Sequence, residues 1–327
     1  MEELVSIITP CYNGERYIKR YAKSLLSQTY HNCQLIFMDD GSTDRSQEMI
    51  MSYEDQFRKK GIDLEYHYHD NIGLGGTIAE GIKYVKGSYV IWPDVDDVMT
   101  PNSIEYKVDF LKKNPQYGLV RTNYMLARDN PENIIRINGT ENYRNLEKEN
   151  LFEDYLVSKN MWLQPGCYMI RMEAFDKANP DRYIYPTRTG QDWQMLLPVL
   201  YYYKCGYIPD SLYIYIINSH SLSQKAKGSF EKEKKQLSNY EEIICETIRH
   251  MNITQKQKYI EKVCHYYSQQ QLSLGFRYGN RNWVNIQWDK LPLHCKNIKM
   301  IYKKIFVGSK QAKNLYDMIY KRIIAKR

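Results

Sequence analysis

The sequence lacks the cysteine pattern of a disulfide-stapled or zinc-bound protein. Its seven cysteines (Cys11, Cys33, Cys167, Cys205, Cys245, Cys264 and Cys295) are odd in number, widely scattered and never spaced as CxxC. That argues against both a disulfide framework and a zinc site, and fits a reducing compartment. No apolar run approaches the ~20 residues that span a bilayer. The N-terminus, Met1-Glu2-Glu3-Leu4-Val5, has neither the basic nor the apolar region of a secretory signal. These absences predict a cytoplasmic protein. Also missing are an internal repeat, a low-complexity linker and a Walker lysine-serine pair. The glycines of Asn71-Ile72-Gly73-Leu74-Gly75-Gly76 neither follow the first strand nor keep the GxGxxG spacing of a dinucleotide loop.

What is present is a chain of 327 residues, 43% hydrophobic and with 31 tyrosines, long enough for one large α/β domain and an appendage. Apolar runs at 5–9, 34–38, 64–69 and 89–93 read as strands. Helical patterns around 17–27, 46–57 and 76–85 separate them, which is βαβ repetition and predicts a mostly parallel sheet. A helix near 103–113 follows. Further strands or edges are expected at Leu119-Val120, Ile134-Ile135 and 167–170, with a helix near 151–157. Gly190 breaks the chain before a helix at 192–203, which Pro198 should kink or displace, and 207–217 reads as a final strand. From Phe230 to Gly275 apolar positions recur at three and four residues and strand signals vanish. The predicted organisation is an α/β domain over 1–225 and a helical, basic region over 226–327.

The charge sits in that second region. From Lys290 to Arg327 eleven basic residues face Asp317 alone, a balance of +10; with +8 over the whole chain, residues 1–289 sum to −2. Ile298, Ile301, Tyr302, Ile305 and Phe306, then Leu315, Met318, Ile319 and Ile323, keep helical spacing among the lysines. Such a basic amphipathic stripe suits either peripheral contact with an anionic membrane or packing against protein, a second copy of the chain included. No nucleic-acid motif accompanies it, and the charge lies outside the α/β domain, so a nucleic-acid partner is not expected.

Chemistry is concentrated at Asp94-Val95-Asp96-Asp97, directly after the apolar run Tyr89-Val90-Ile91-Trp92. Clustered carboxylates repel one another unless a cation joins them, and a hard divalent ion with oxygen ligands would leave positions for phosphate oxygens. In an open parallel sheet, ligands bind beyond the carboxyl ends of the strands. That makes Asn13, Asp39, Asp40 and Asp94 to Asp97 neighbours despite their separation. Taken alone, an isolated DxDD is as well explained by an acidic turn before the helix near Asn102, and Asp39-Asp40-Gly41-Ser42 by helix capping.

In order and spacing, Val5 to Gly14, Ser27-Gln28-Thr29-Tyr30, Met38 to Asp44, Asn71-Ile72-Gly73-Leu74, and Lys86 to Tyr89 leading into Asp94 to Asp97 resemble the family 2 glycosyltransferases. With Gly190-Gln191-Asp192-Trp193 where that family keeps its base, the resemblance covers roughly the first 225 residues. It implies a GT-A nucleotide-sugar-binding fold: α/β, a mostly parallel central sheet flanked by helices, here with a helical C-terminal extension. It further implies an inverting, metal-dependent transfer of a sugar from a UDP-sugar donor to the hydroxyl of a saccharide or lipid-linked saccharide, in bacterial surface or exopolysaccharide synthesis.

The implied roles fall on named positions. Asp40, with Asp39 beside it, would read the uracil imide, and Pro10, Tyr12, Asn13 and Asn71 would shape the same pocket. Asp96 would coordinate Mn²⁺ or Mg²⁺, with Asp94 nearer the ribose or a ligating water. Val95 and Asp97 would face the donor, Asp97 its sugar, and His220 would approach the diphosphate. Asp192 would be the base. Two departures stand out: Gln191 replaces a family glutamate, and Ile78 replaces a family arginine, for which Lys83 is a candidate substitute. A nucleotidyltransferase, or a nucleotide-sugar-binding protein without turnover, are the alternatives. The first is disfavoured because Pro10 to Gly14 holds no basic residue.

Overall fold

The apolar runs of the N-terminal half become strands β1 (Val5–Cys11), β2 (Cys33–Asp39), β3 (Ile62–Tyr68) and β4 (Tyr89–Ile91). The computed structural model describes residues 2–217, 228–293, 296, 300–301, 304 and 307. These residues divide into two units, one drawn from Met1–Gln224 and Ile243–Lys256, the other from Lys225–Glu242 and Gln257–Arg327. In the first unit β3, β2, β1 and β4 pair in that order, all parallel. Every residue of β1 and β2 is buried, which is why both read as continuous apolar runs rather than as alternating ones. The connecting helix Glu15–Leu26 buries Ile18, Tyr21, Ala22 and Leu25, one stripe at helical spacing.

Beyond β4 the sheet turns antiparallel. The remaining strands are β5 (Val98–Met99), β6 (Tyr117–Arg128), β7 (Ile134–Arg136), β8 (Tyr168–Arg171) and β9 (Lys204–Ile217). They continue the order β4-β8-β6-β9-β5, with β7 on β6. β8 runs against β4 and β6, whereas β9 runs parallel to β6 along most of its length. β5 pairs with β9 through Val98 with Ile214 and Met99 with Tyr213, which ties the acidic segment to the last strand.

The expected helix over 46–57 is two helices, Ser46–Met51 and Glu54–Lys59. At the break the Ser52 hydroxyl donates to the Met49 carbonyl at 2.7 Å, a side-chain bond that competes with the helical ladder. β4 stops at Ile91, two residues before Pro93, which has no N–H for a ladder. The helix Gln191–Tyr202 is not displaced by Pro198 but runs through it. β5 and the helix Met172–Ala178 carried no signal strong enough to anticipate.

Three helices are described after β9: Phe230–His250, Lys256–Tyr278 and Arg281–Lys290. In the second unit Leu272, Val284, Leu291 and Val307 form a buried cluster with Phe276, Trp288 and Met300 packed against it. Lys296 and Lys304 place their ammonium groups 5.3 and 4.8 Å from the Trp288 ring. Of the described tail residues, Met300 and Val307 thus turn into protein and Ile301 is exposed. The other positions of the stripe, Ile298, Tyr302, Ile305, Phe306, Leu315, Met318, Ile319 and Ile323, lie outside the described residues. No helix among the described residues is long and apolar enough to cross a membrane.

Candidate functional site

Parallel pairing puts the carboxyl ends of β1, β2 and β3 on one edge of the sheet, and Cys11 is in register with Asp39. Pro10 is the sixth residue of β1, Tyr12 just beyond it is 56% exposed, and Asn13 takes a left-handed φ of 52°. The Asn13 amide donates to Ser42 Oγ at 2.9 Å, and its side-chain oxygen accepts the Thr43 amide at 2.8 Å. Asp44 accepts the amides of Glu15 and Ser46, both at 3.0 Å, and so serves the starts of two helices at once. The loops after β1 and β2 form one interlocked wall.

Asp39 and Asp40 are both buried behind that wall. Asp39 accepts the Ser42 amide at 2.7 Å and the Tyr66 hydroxyl at 2.8 Å. The Asp40 carboxylate accepts the amides of Ile72 at 2.7 Å and Gly73 at 3.0 Å, while its main-chain carbonyl accepts Asn71 Nδ2 at 2.9 Å. His69 Nδ1 stands 3.5 Å from Asp40 Oδ1. A carboxylate has about four acceptor positions, so these bonds orient Asp40 without filling it.

The glycine turn after β3 is a seat for another loop. Gly73 has φ 83° and ψ 165°, a region open essentially to glycine alone. A Cβ there would lie 2.7 Å from Arg188 Cα, and one on Gly75 would lie 2.7 Å from the Thr187 carbonyl oxygen. The Gly76 amide donates to that same oxygen at 2.8 Å, and the Arg188 guanidinium donates to Asn71 Oδ1. The missing side chains let the segment before Asp192 lie on the turn. Ile78 faces the core and Lys83 pairs with Glu80 at 2.7 Å, so neither offers a cation to this edge.

The acidic segment leaves β4 with ligand atoms of Asp94, Asp96 and Asp97 all within 4.8 Å of one another. Val95 is buried, with its Cγ1 3.3 Å from where a Gly14 Cβ would be. The main-chain carbonyl of Asp96 accepts from Arg20. Asp97 is turned inward: Tyr213 donates its hydroxyl proton to one carboxylate oxygen and the Ile216 amide donates to the other, each at 2.8 Å. The same Tyr213 oxygen accepts the Asp94 amide at 3.3 Å. Burial, then the charges of Asp96 and Asp192, pushes the Asp94 carboxyl well above its ordinary range. Burial followed by the charges of Asp96 and Asp94 does the same to Asp97, against the bonds from Ile216 and Tyr213.

Asp192 lies in the first turn of its helix, after Gly190 in the left-handed region. It is 5% exposed, and its carboxylate caps nothing: Oδ1 accepts the indole N–H of Trp92 at 2.9 Å. Burial raises its carboxyl to about 6, and the Trp92 hydrogen bond pulls the other way. Trp92 stacks on Tyr168, with ring centroids 6.2 Å apart and planes 9° apart. The residue that joins the two acidic elements therefore stands two places before Asp94. Its polar N–H, in a run read only as a strand, was the available signal. Tyr66, Tyr213 and Arg188 were missed because their partners lie far away in sequence. His220 falls outside the described residues.

The model of the family described as Glycosyl transferase family 2 matches residues 6–178, just over half of the chain. An uncharacterized glycosyltransferase of Rickettsia conorii is 33% identical over 184 residues, 54% of this chain and 29% of that protein. The Escherichia coli protein WfgD is named a UDP-Glc:alpha-D-GlcNAc-diphosphoundecaprenol beta-1,3-glucosyltransferase. It is 32% identical over 127 residues, 39% of this chain and 48% of its own length. The chain thus spans less than a third of the Rickettsia relative it matches. The crystal structure of S. aureus TarS 1–349 in complex with UDP-GlcNAc is similar with a TM-score of 0.60 at 16% identity, covering 95% of this chain and 83% of that one.

Proposed function

Because the chain belongs to glycosyl transferase family 2 and has the GT-A fold, we propose that it transfers a sugar from a UDP-sugar to an acceptor hydroxyl by single displacement with inversion. The observation that carries this is the meeting of the acidic segment with Asp192 through Trp92, which sets two differently used carboxylate elements side by side. WfgD, by its name, uses UDP-Glc and a lipid diphosphate-linked GlcNAc. We take a UDP-sugar and a saccharide or lipid-linked saccharide as this chain's substrate classes, and surface or exopolysaccharide assembly as their setting.

The carboxylates of Asp94 and Asp96 fit a divalent cation, because their ligand atoms lie together and burial and the neighbouring Asp96 charge penalise the charged form of Asp94 until a cation offsets them. Mn²⁺ or Mg²⁺ held there would neutralise the charge that builds on the departing UDP. Asp97 braces the segment against β9. Asp40 and Asn71, with Pro10, Tyr12 and Asn13 on the adjoining wall, receive the nucleoside. Asp192 accepts the acceptor's hydroxyl proton as that oxygen attacks the anomeric carbon. Its burial raises its basicity, and the Trp92 N–H holds one carboxylate oxygen in place.

Calorimetry of UDP with and without Mn²⁺ tests the donor site, and a UDP-sugar panel scored for Mn²⁺-dependent hydrolysis identifies the donor. Binding should be tighter with the ion, and Asp96→Ala should abolish transfer. Equal UDP affinity in chelator together with an active Asp96→Ala variant would sink the metal assignment.

A further inference from the structure

The candidate donor site is lined by acids, namely Asp39, Asp40, Asp94, Asp96, Asp97 and Asp192, and its nucleoside end has the Arg188 guanidinium beside it. Arg188 is exposed, makes no ion pair among the described residues, and donates to Asn71 Oδ1. Asn71 in turn holds the Asp40 carbonyl. Arg45, on the loop after β2, is committed to Glu15, while Lys83 and Lys86 follow the helix Leu74–Gly81 that leads away from this edge and pair with Glu80 and Glu65. β2 and β4 flank β1 on opposite sides, so Asp40 and the acidic segment are separated by two strand spacings, about 10 Å. That is a nucleotide's reach from base to phosphates, and Arg188 stands at the β2–β3 side of it.

Resting on the donor site proposed above, we propose that Arg188 recognises the nucleoside half of the donor, donating to its oxygens beside Asp40. A guanidinium supplies several N–H donors in a fixed fork, and Asp40 next to it is an acceptor. Together they match a base edge that carries both an imide N–H and carbonyl oxygens. Because Thr187 and Arg188 rest on the glycine turn and Asp192 is four residues on, the same contact fastens the segment that leads to Asp192 once the donor is bound. Donor recognition and placement of the base then share one loop.

The test is calorimetry of the full chain with UDP plus Mn²⁺ and, separately, with UMP in chelator. Wild type, Arg188→Ala, Arg188→Lys and the control Lys83→Ala are compared, each first matched by thermal melting. Losing a hydrogen bond to a charged donor should weaken both ligands by the same factor, roughly 10-fold or more, in Arg188→Ala. Arg188→Lys, which keeps the charge and loses the fork, should fall between, and Lys83→Ala should match wild type. Unchanged affinities in a folded Arg188→Ala protein that binds UDP as wild type would overturn this inference and leave the donor site standing. A loss confined to UDP with Mn²⁺ would also overturn it, because it would assign Arg188 to the phosphates. Failure of the wild type to bind either nucleotide overturns both readings.

Discussion

At Asp192 two effects oppose each other: burial drives the carboxyl up to about 6, and the Trp92 indole N–H favours the charged form. As the proposed base, Asp192 is competent only when ionised, so transfer should rise with pH through an acid limb near pH 6 and level off above it. Replacing it by asparagine keeps the shape and removes proton acceptance. Transfer should drop roughly 100-fold or more while UDP-sugar affinity changes little, which single-turnover rates and calorimetry would separate. Stability should move the other way. A folded-state carboxyl above its ordinary 3.8 means that the native protein binds more protons between about pH 4 and 6, so stability falls as pH rises through that window and stays lost above it. Asp192→Asn escapes that penalty. It should unfold at higher denaturant than the parent at pH 7 and at nearly the same concentration at pH 4; a variant less stable at pH 7 would show that the Trp92 contact outweighs burial.

Among elements, the glycine turn and the loop resting on it are the most exacting fit. Gly73→Ala puts a methyl into a backbone region that costs about 1–3 kcal/mol for other residues, and into contact with Arg188 at 2.7 Å. Denaturant unfolding should report a loss of at least that order, with transfer impaired beyond what the lost stability explains. The same turn marks where sequence reading stops. The βαβ half was legible because fully buried parallel strands leave unbroken apolar runs and the helices between them leave stripes, so β1 to β4 could be placed within a few residues. Asp39, Asp40, Asp94 and Asp96 could be named because they end or follow apolar strands, and Asn71 and Asp192 because their motifs resemble the family's. Their supports could not. Tyr213 is 116 residues from Asp97 and Trp92 is 100 from Asp192, and nothing local in Leu212-Tyr213-Ile214 distinguishes a tyrosine that braces a carboxylate from one that only fills space. β5, two residues long, exists only because β9 is there to pair with it.

For the whole molecule, the basic C-terminal region sets a question of address. Each lysine or arginine near an anionic surface contributes about 1 kcal/mol, which would bring the donor site to a lipid-linked acceptor. Met300 and Val307 packing inward shows that part of the region is committed to protein. Flotation with vesicles of graded anionic lipid should give binding that grows with anionic content, weakens in salt and disappears on truncation after Asp289; no binding by the intact protein at low salt would rule the membrane role out. The bracing of Asp97 by Tyr213 and Ile216 also fixes an order of assembly. A ribosome releasing this chain has already produced every acid of the proposed donor site except Asp192 by Asp97, yet the strand that fastens the acidic segment is finished only at Ile217, and contacts of such long range form slowly. Until then the middle of the sheet has a bare edge, since β6 lies between β8 and an absent β9. A fragment ending at residue 178, where the family match ends, should therefore aggregate or exchange its backbone amides rapidly around β6. One ending at 256 should protect them, and the nascent protein depends on being shielded over the interval between the two.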